Sequence, residues 1–271
     1  MYYATHHFAG RVLNTFRGIT ANGYDGLWVA LLISDPTSSG TAGVEIAYTG
    51  YQRQPIEFSA PAPLNDHLSV QNVSDLTWPQ SSQAPGTATH LGIFDSPVGG
   101  NMVLRGRLTV PLEIAPQQQP SVMAGDIVYW GRGEFYSGFR EAYLNLLRGV
   151  PIPGFVARAA MFNGNPEIGG TELGGENYSR PQVAFTAPFV AGNGKITITN
   201  EYIVSFPRPL ASWGQWAYGA IMRDESSDIA VATNRAENPY NLAPPPTQPP
   251  KAIHRNYTVQ LRPGDIEIDL D

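Results

Sequence analysis

Leu13-Asn14-Thr15-Phe16-Arg17-Gly18-Ile19 returns in altered form as Leu144-Asn145-Leu146-Leu147-Arg148-Gly149-Val150, at an offset of 131 positions. Three further matches follow in the same order. Tyr51-Gln52-Arg53 leading to Phe58-Ser59-Ala60-Pro61 pairs with Tyr178-Ser179-Arg180 leading to Phe185-Thr186-Ala187-Pro188, offset 127. Trp78-Pro79, Gly86 and Gly92-Ile93-Phe94 pair with Phe206-Pro207, Gly214 and Ala220-Ile221-Met222, offset 128, and Gly125-Asp126-Ile127 pairs with Gly264-Asp265-Ile266, offset 139. Collinear matches with so little drift predict two tandem copies of one module, residues 1–131 and 132–271. The period is too long for a solenoid repeat, which stacks units of 20–45 residues.

Each copy is expected to open on one short helix. Phe8, Val12, Leu13 and Phe16 fall at i, i+4, i+5 and i+8, and Phe139, Tyr143, Leu144 and Leu147 repeat that spacing, which puts one apolar stripe on each helix. Gly18 and Gly149 stand where a left-handed cap is wanted, and Arg17 and Arg148 where a positive charge suits the helix dipole. Strands follow. Leu27–Ile33 is a continuous apolar run, the signature of a strand covered on both faces, and Phe155–Phe162 is its counterpart, interrupted by Arg158. Gln54–Phe58 and Gln182–Phe185 read as strands. His90–Phe94 and Tyr218–Met222 read as central strands, followed by Met102–Leu104 and Ile229–Val231. Pro116–Pro120 and Pro244–Pro250 are proline-rich connections, the second an extended polyproline arm. The modules join near Gly131–Glu134. In the closing strand Ile266, Ile268 and Leu270 alternate with Asp265, Glu267, Asp269 and Asp271. One helix and seven or eight short strands per copy predict a mainly β chain, two tandem antiparallel β-sandwich (jelly-roll-like) modules.

Composition narrows the function. Charged residues make up only 15%, Gly and Pro number 28 and 24, and the net charge is −6. The absence of any basic run argues against nucleic acid as a partner. With Cys 0 there are no disulfides and no thiol chemistry. The N-terminus shows no signal-peptide pattern, and no apolar run approaches the ~18 residues of a membrane span, so neither secretion nor membrane is expected. A leaderless chain with a charge-poor surface fits a virion component assembled in the host cytoplasm.

No nucleophile elbow, P-loop, zinc-protease motif or dinucleotide fingerprint occurs. His90 has no marked serine partner, adjacent His6 and His7 cannot face one ion from a helix, and His254 is isolated. The acidic ladder Asp265, Glu267, Asp269 and Asp271 offers oxygen ligands of the kind calcium takes, but side chains on one strand face project in parallel. No carboxylate pair is marked for glycoside hydrolysis. No catalytic, cofactor-binding or metal-binding residue is therefore expected, and no enzyme. Trp213 and Trp216 offer the alternative, stacking on sugar rings as a host-surface carbohydrate-binding module.

Gly50-Tyr51-x-Arg53-Gln54, Phe58-x-Ala60-Pro61, Thr77-Trp78-Pro79, Thr89-His90-x-Gly92-Ile93-Phe94-Asp95 with Gly99-Gly100-Asn101, and Ala124-Gly125-Asp126 resemble a tailed-bacteriophage structural family commonly labelled tail-fibre proteins. The resemblance covers most of residues 10–130 and recurs, more faded, from about 140 to 271, where Tyr218-Gly219-Ala220-Ile221-Met222-Arg223 replaces the His-x-Gly-Ile-Phe-Asp phrase. It implies a non-enzymatic virion protein acting through protein–protein interfaces with other tail, baseplate or capsid proteins. Two placements follow: tail-associated (fibre, adaptor or baseplate-peripheral), or capsid decoration and cement. A homo-oligomer is expected in either, because virion sites are multiplied by symmetry.

Overall fold

Residues 1–131, 135–224, 230–234 and 251–270 are described by a computed structural model. The predicted junction at Arg132–Glu134, the Pro244–Pro250 arm, Ile229 and Asp271 lie outside the described residues. The first half runs β1 (Tyr2–Ala4), α1 (His6–Asn14), β2 (Leu27–Leu32), β3 (Gln54–Ile56), β4 (Ala62–Leu64), β5 (His67–Gln71), β6 (Leu76–Thr77), β7 (Gly86–Phe94), β8 (Met102–Ile114), β9 (Ser121–Val122) and β10 (Val128–Trp130). The second runs α2 (Ser137–Leu146), β11 (Ala157–Phe162), a 3-10 turn (Pro166–Ile168), β12 (Phe189–Val190), β13 (Ile196–Thr199), β14 (Val204–Ser205), β15 (Gly214–Trp216), β16 (Tyr218–Arg223), β17 (Ala230–Asn234), β18 (Lys251–Ile253), β19 (Gln260–Leu261) and β20 (Glu267–Leu270).

The chain is mainly β, and its sheets are antiparallel throughout the described pairings. In the first half the strands order as β1-β8-β7-β2-β3, β10-β5-β4 and β6-β9; in the second as β11-β16-β17, β12-β13-β20, β14-β19 and β15-β18. The pairings correspond: β2-β7-β8 with β11-β16-β17, β4-β5-β10 with β12-β13-β20, and β6-β9 with β14-β19. The β15–β18 pair, which aligns Gly214 with Ile253, answers to the outer end of the β7–β8 hairpin, where Gly86 aligns with Ile114. A register shift between Ala88 and His90 separates that end from the rest of the hairpin.

β2 is apolar on both faces because both are covered. Val29 and Leu31 enter the main core, while Ala30 and Leu32 meet Phe94 and Met102 in a small cluster. Ala160, Phe162, Ala220 and Met222 form the matching cluster in the second half. β7 and β16 are central strands, as their sequences predict.

Several boundaries differ from the sequence reading. β1 precedes α1 and pairs with β8, a short strand with no readable alternation. β8 extends to Ile114 rather than stopping at Leu104, through a mostly exposed, mixed-polarity stretch whose outer end, Leu112–Ile114, pairs with Gly86–Ala88 of β7. Residues 182–185 make isolated bridges, Gln182 with Arg158 and Phe185 with Asn200, rather than a strand. Prolines at 181 and 188 bracket that segment and remove the amides a longer ladder would need.

The main core is continuous across both halves. All eight predicted stripe residues on and just past the helices are buried. α1 packs against β1 and β8 of its own half and also against β13 and β20 of the other, while α2 packs against β5. Phe16 is surrounded by second-half rings: Phe155 at 5.0 Å, Phe139 at 5.2 Å, Phe185 at 6.0 Å and Phe135 at 6.2 Å between centroids. The three edge-on rings, Phe139, Phe155 and Phe185, add to the area term of a fully buried side chain. Phe16→Ala is expected to lower stability by about 3–5 kcal/mol in urea denaturation, whereas Val98→Ala, on an exposed loop, should stay within about 0.5 kcal/mol.

Candidate functional site

The family-like phrases converge on Arg53. Tyr51, two residues before it, accepts the Leu31 amide at 2.9 Å and anchors the segment to β2. Arg53 Nε lies 3.1 Å from Glu45 Oε1, and its Nη2 lies 2.9 Å from Glu45 Oε2, a two-pronged pairing that suits the planar guanidinium. Its Nη1 donates to the carbonyls of Ser96 at 3.0 Å and Gly99 at 2.7 Å. The guanidinium also lies over the Phe94 ring, 3.5 Å from the centroid. Asp95 closes the same loop by accepting the Asn101 amide at 2.6 Å and its side-chain NH2 at 3.0 Å. Thus Tyr51, Arg53, Phe94, Asp95, Gly99 and Asn101 together pin the 95–101 loop to the sheet.

The second half repeats the anchor. The Met161 amide donates to Tyr178 Oη at 3.1 Å, Tyr178 donates to Glu172 Oε1 at 2.9 Å, and Arg180 Nε donates to the same carboxylate at 2.8 Å. Burial pushes both phenols, Tyr51 and Tyr178, well above the usual tyrosine range, with the neighbouring carboxylates adding to the effect. Arg158, Glu172, Leu173, Tyr178, Ser179 and Arg180 line an open cleft of about 490 Å³. Arg158 Nη1 donates to the Arg180 carbonyl at 3.0 Å, which explains a cation in an otherwise apolar strand.

Asn72 and Asn200 carry a second repeated device, which the sequence did not flag. Asn72 Nδ2 donates to the carbonyls of Ser74 and Met123, both at 2.9 Å, and its Oδ1 accepts the Ile127 amide at 2.9 Å. Asn200 does the same with Tyr202 at 2.9 Å, Arg262 at 2.8 Å and the Ile266 amide at 2.9 Å. Each saturates a buried amide side chain and holds a Gly-Asp-Ile turn, with Gly125 and Gly264 in the left-handed region at φ 84° and 86°. The only local sign in the sequence is an asparagine just after a short strand.

The other candidates are dispersed. Of the acidic ladder, Asp265 accepts the Arg262 amide and Asp269 pairs with Lys195 at 3.3 Å. Among the described residues no group of three metal-binding side chains converges. His90 Nδ1 lies 2.9 Å from Thr89 Oγ1. His6 and His7 begin α1: His6 Nε2 lies 3.1 Å from the Gly194 carbonyl, and His7 Nε2 lies 3.7 Å from Asp95 Oδ2, beyond hydrogen-bond range. The proposed sugar platform fails at Trp213, which is buried, crosses Tyr178 edge-on at 5.0 Å and donates to the Glu176 carbonyl at 3.0 Å. Trp216 is half-buried and donates to the Tyr218 carbonyl. Among the described residues no helix is long and apolar enough to cross a membrane.

Residues 4–129 match the model of a family described as Podophage GP4 fiber I protein gp80. Over those residues the chain is similar to a phage fibre protein. The match supports a virion component that interacts with other virion proteins, and it lends nothing to the capsid-decoration placement. No curated protein matches the chain.

Two expectations test this site. Arg53→Ala strands Glu45 and two loop carbonyls, and should cost on the order of 3 kcal/mol in chemical denaturation. Acidification should also weaken the fold. Burial is the first cause lowering the pKa of both His7 and His90; Asp95 and Asp35 oppose it respectively, and Arg11 beside the first and Arg107 and Arg105 beside the second reinforce it. Above about pH 6.5 both imidazoles are neutral in either state; below it the unfolded chain takes up protons that the folded chain resists, so stability falls. The double variant His7→Gln/His90→Gln should therefore lose less melting temperature than the parent between pH 7.5 and 5.5.

Proposed function

We propose that the chain is a non-enzymatic structural protein of the phage tail, fibre-associated, adaptor or baseplate-peripheral. In this reading it is built from two copies of one jelly-roll-like β-sandwich module, residues 1–131 and 132–271, and works as a homo-oligomer through protein–protein interfaces. It is assembled in the host cytoplasm and uses no catalytic, cofactor or metal-binding residue.

The observation that carries this reading is where the family-like residues go. Those that resemble the fibre family are spent on pinning loops and turns: the Arg53 clamp, the Asp95–Asn101 closure and the Asn72-held turn. None of them lines a cleft with nucleophile, base and oxyanion donors in mutual reach. A scaffold of this kind presents rigid loops. Val98, at the tip of the clamped loop, is 84% exposed, and Val110, on the β7–β8 hairpin, is 76% exposed. An exposed aliphatic tip on a held loop, and an exposed aliphatic residue on the strand that leads from it, suit contact with another protein. The fibre-family match over residues 4–129 supports the tail, and its extent agrees with the first copy.

Immunogold electron microscopy of purified particles, with antibody raised against this chain, is expected to place gold on the tail. Gold confined to the capsid would contradict the tail placement, and unlabelled particles whose mass spectrum also lacks the chain would contradict the virion reading.

A further inference from the structure

The segments that follow the two helices cross each other, and they do so symmetrically. The Ala21 amide donates to the Ile152 carbonyl at 2.9 Å, and the Ile152 amide donates back at 2.8 Å. These two residues are each other's equivalents at the 131-residue offset. The Tyr24 amide donates to the Leu146 carbonyl at 3.1 Å, and the Phe155 amide to the Thr15 carbonyl at 3.1 Å, which is the same bond under the same offset. A Cβ on Gly23 would lie 2.0 Å from the Gly149 backbone, and one on Gly154 would lie 2.2 Å from that of Gly18, again an equivalent pair. Gly18 and Gly149 themselves turn at φ 80° and 82°. Arg17 Nη1 and Arg148 Nη1 each donate to an asparagine three residues back, Asn14 and Asn145, at 2.7 Å. A residue paired with its own equivalent lies on a two-fold axis, the hallmark of an isologous interface.

The helices are exchanged across this axis. α1 lies on the β13–β20 layer of the second half, and α2 lies on β5 of the first. His6 of α1 reaches the Gly194 carbonyl on the far side, and a Cβ on Gly10 would lie 4.0 Å from Pro188. Neither half's sheet is covered by its own helix alone.

We propose that the helix-and-crossing surface of each half is a self-complementary docking surface whose fitting partner is a second copy of the module, supplied here within one chain. The two halves are consequently one obligate folding unit: a two-fold dimer whose protomers happen to be joined. This rests on the two-copy reading of the chain.

The test keeps the full chain. A protease site replacing Arg132–Glu134 is cut after folding, and the product is followed by size-exclusion chromatography with light scattering. The cut halves should elute together at the mass of the intact chain, 29.4 kDa. Gly23→Ala and Gly154→Ala, introduced separately into the uncut chain, complete the test. Neither glycine uses a left-handed backbone, and the atoms nearest the added methyl all belong to the opposite half. Each should lower the melting temperature by about 4 °C or more, and to a similar extent. Two folded fragments eluting apart would overturn the obligate pairing while leaving the two-copy reading intact. Halves that stay together while only one of the two glycine variants loses stability would overturn the isologous interface and the two-copy symmetry beneath it.

Discussion

Everything else in the fold is arranged around the close crossing of two backbones, Gly18 against Gly154 and Gly149 against Gly23. Any side chain at Gly23 or Gly154 would overlap the opposite main chain. The mutual amide bonds between Ala21 and Ile152 require that approach. Once the crossing forms, Phe16 is carried into the second half and ringed by Phe135, Phe139, Phe155 and Phe185. Hydrophobic burial then supplies most of the energy, because one apolar cluster extends through both halves. The glycines set the geometry and the aromatic residues stabilise it.

Outside the crossing, polar side chains fix the loops. Arg53 uses its donors on Glu45 and two loop carbonyls and its flat face on Phe94. Asn72 and Asn200 tie the end of one strand to the start of the closing one. A charge-poor chain has few side chains for such tasks, and it places them where buried backbone groups would otherwise go unpaired. The result is a set of rigid, mixed-polarity loop tips, consistent with a part that is held by neighbours in a particle.

The helices' apolar stripes, the left-handed glycines and the central strands were all legible, because each leaves a local pattern. The amphipathic spacing of Phe8, Val12, Leu13 and Phe16 identifies a buried face but not the half in which its partners lie. The exchange of α1 and α2 was therefore invisible. Gly23 and Gly154 were equally silent: nothing local marks a glycine whose reason is another strand of backbone 130 residues away. Asn72 and Asn200 read as ordinary polar residues at strand ends until the turn they hold is seen. Of the two roles open to Trp213, core packing or sugar stacking, only the fold decides: its indole is buried against Tyr178 and satisfied by Glu176. The Arg53 clamp was foreshadowed by the family-like phrase, but its role as a loop anchor needed the fold.

Native-state hydrogen exchange tests the central claim most directly, that two halves form one cooperative unit about a two-fold crossing. The amides of Ala21 and Ile152, together with those of Val29 in β2 and Ala159 in β11, should exchange with a common opening free energy equal to that of global unfolding. A second-half set that opens at substantially lower free energy, while Val29 stays protected, would contradict it.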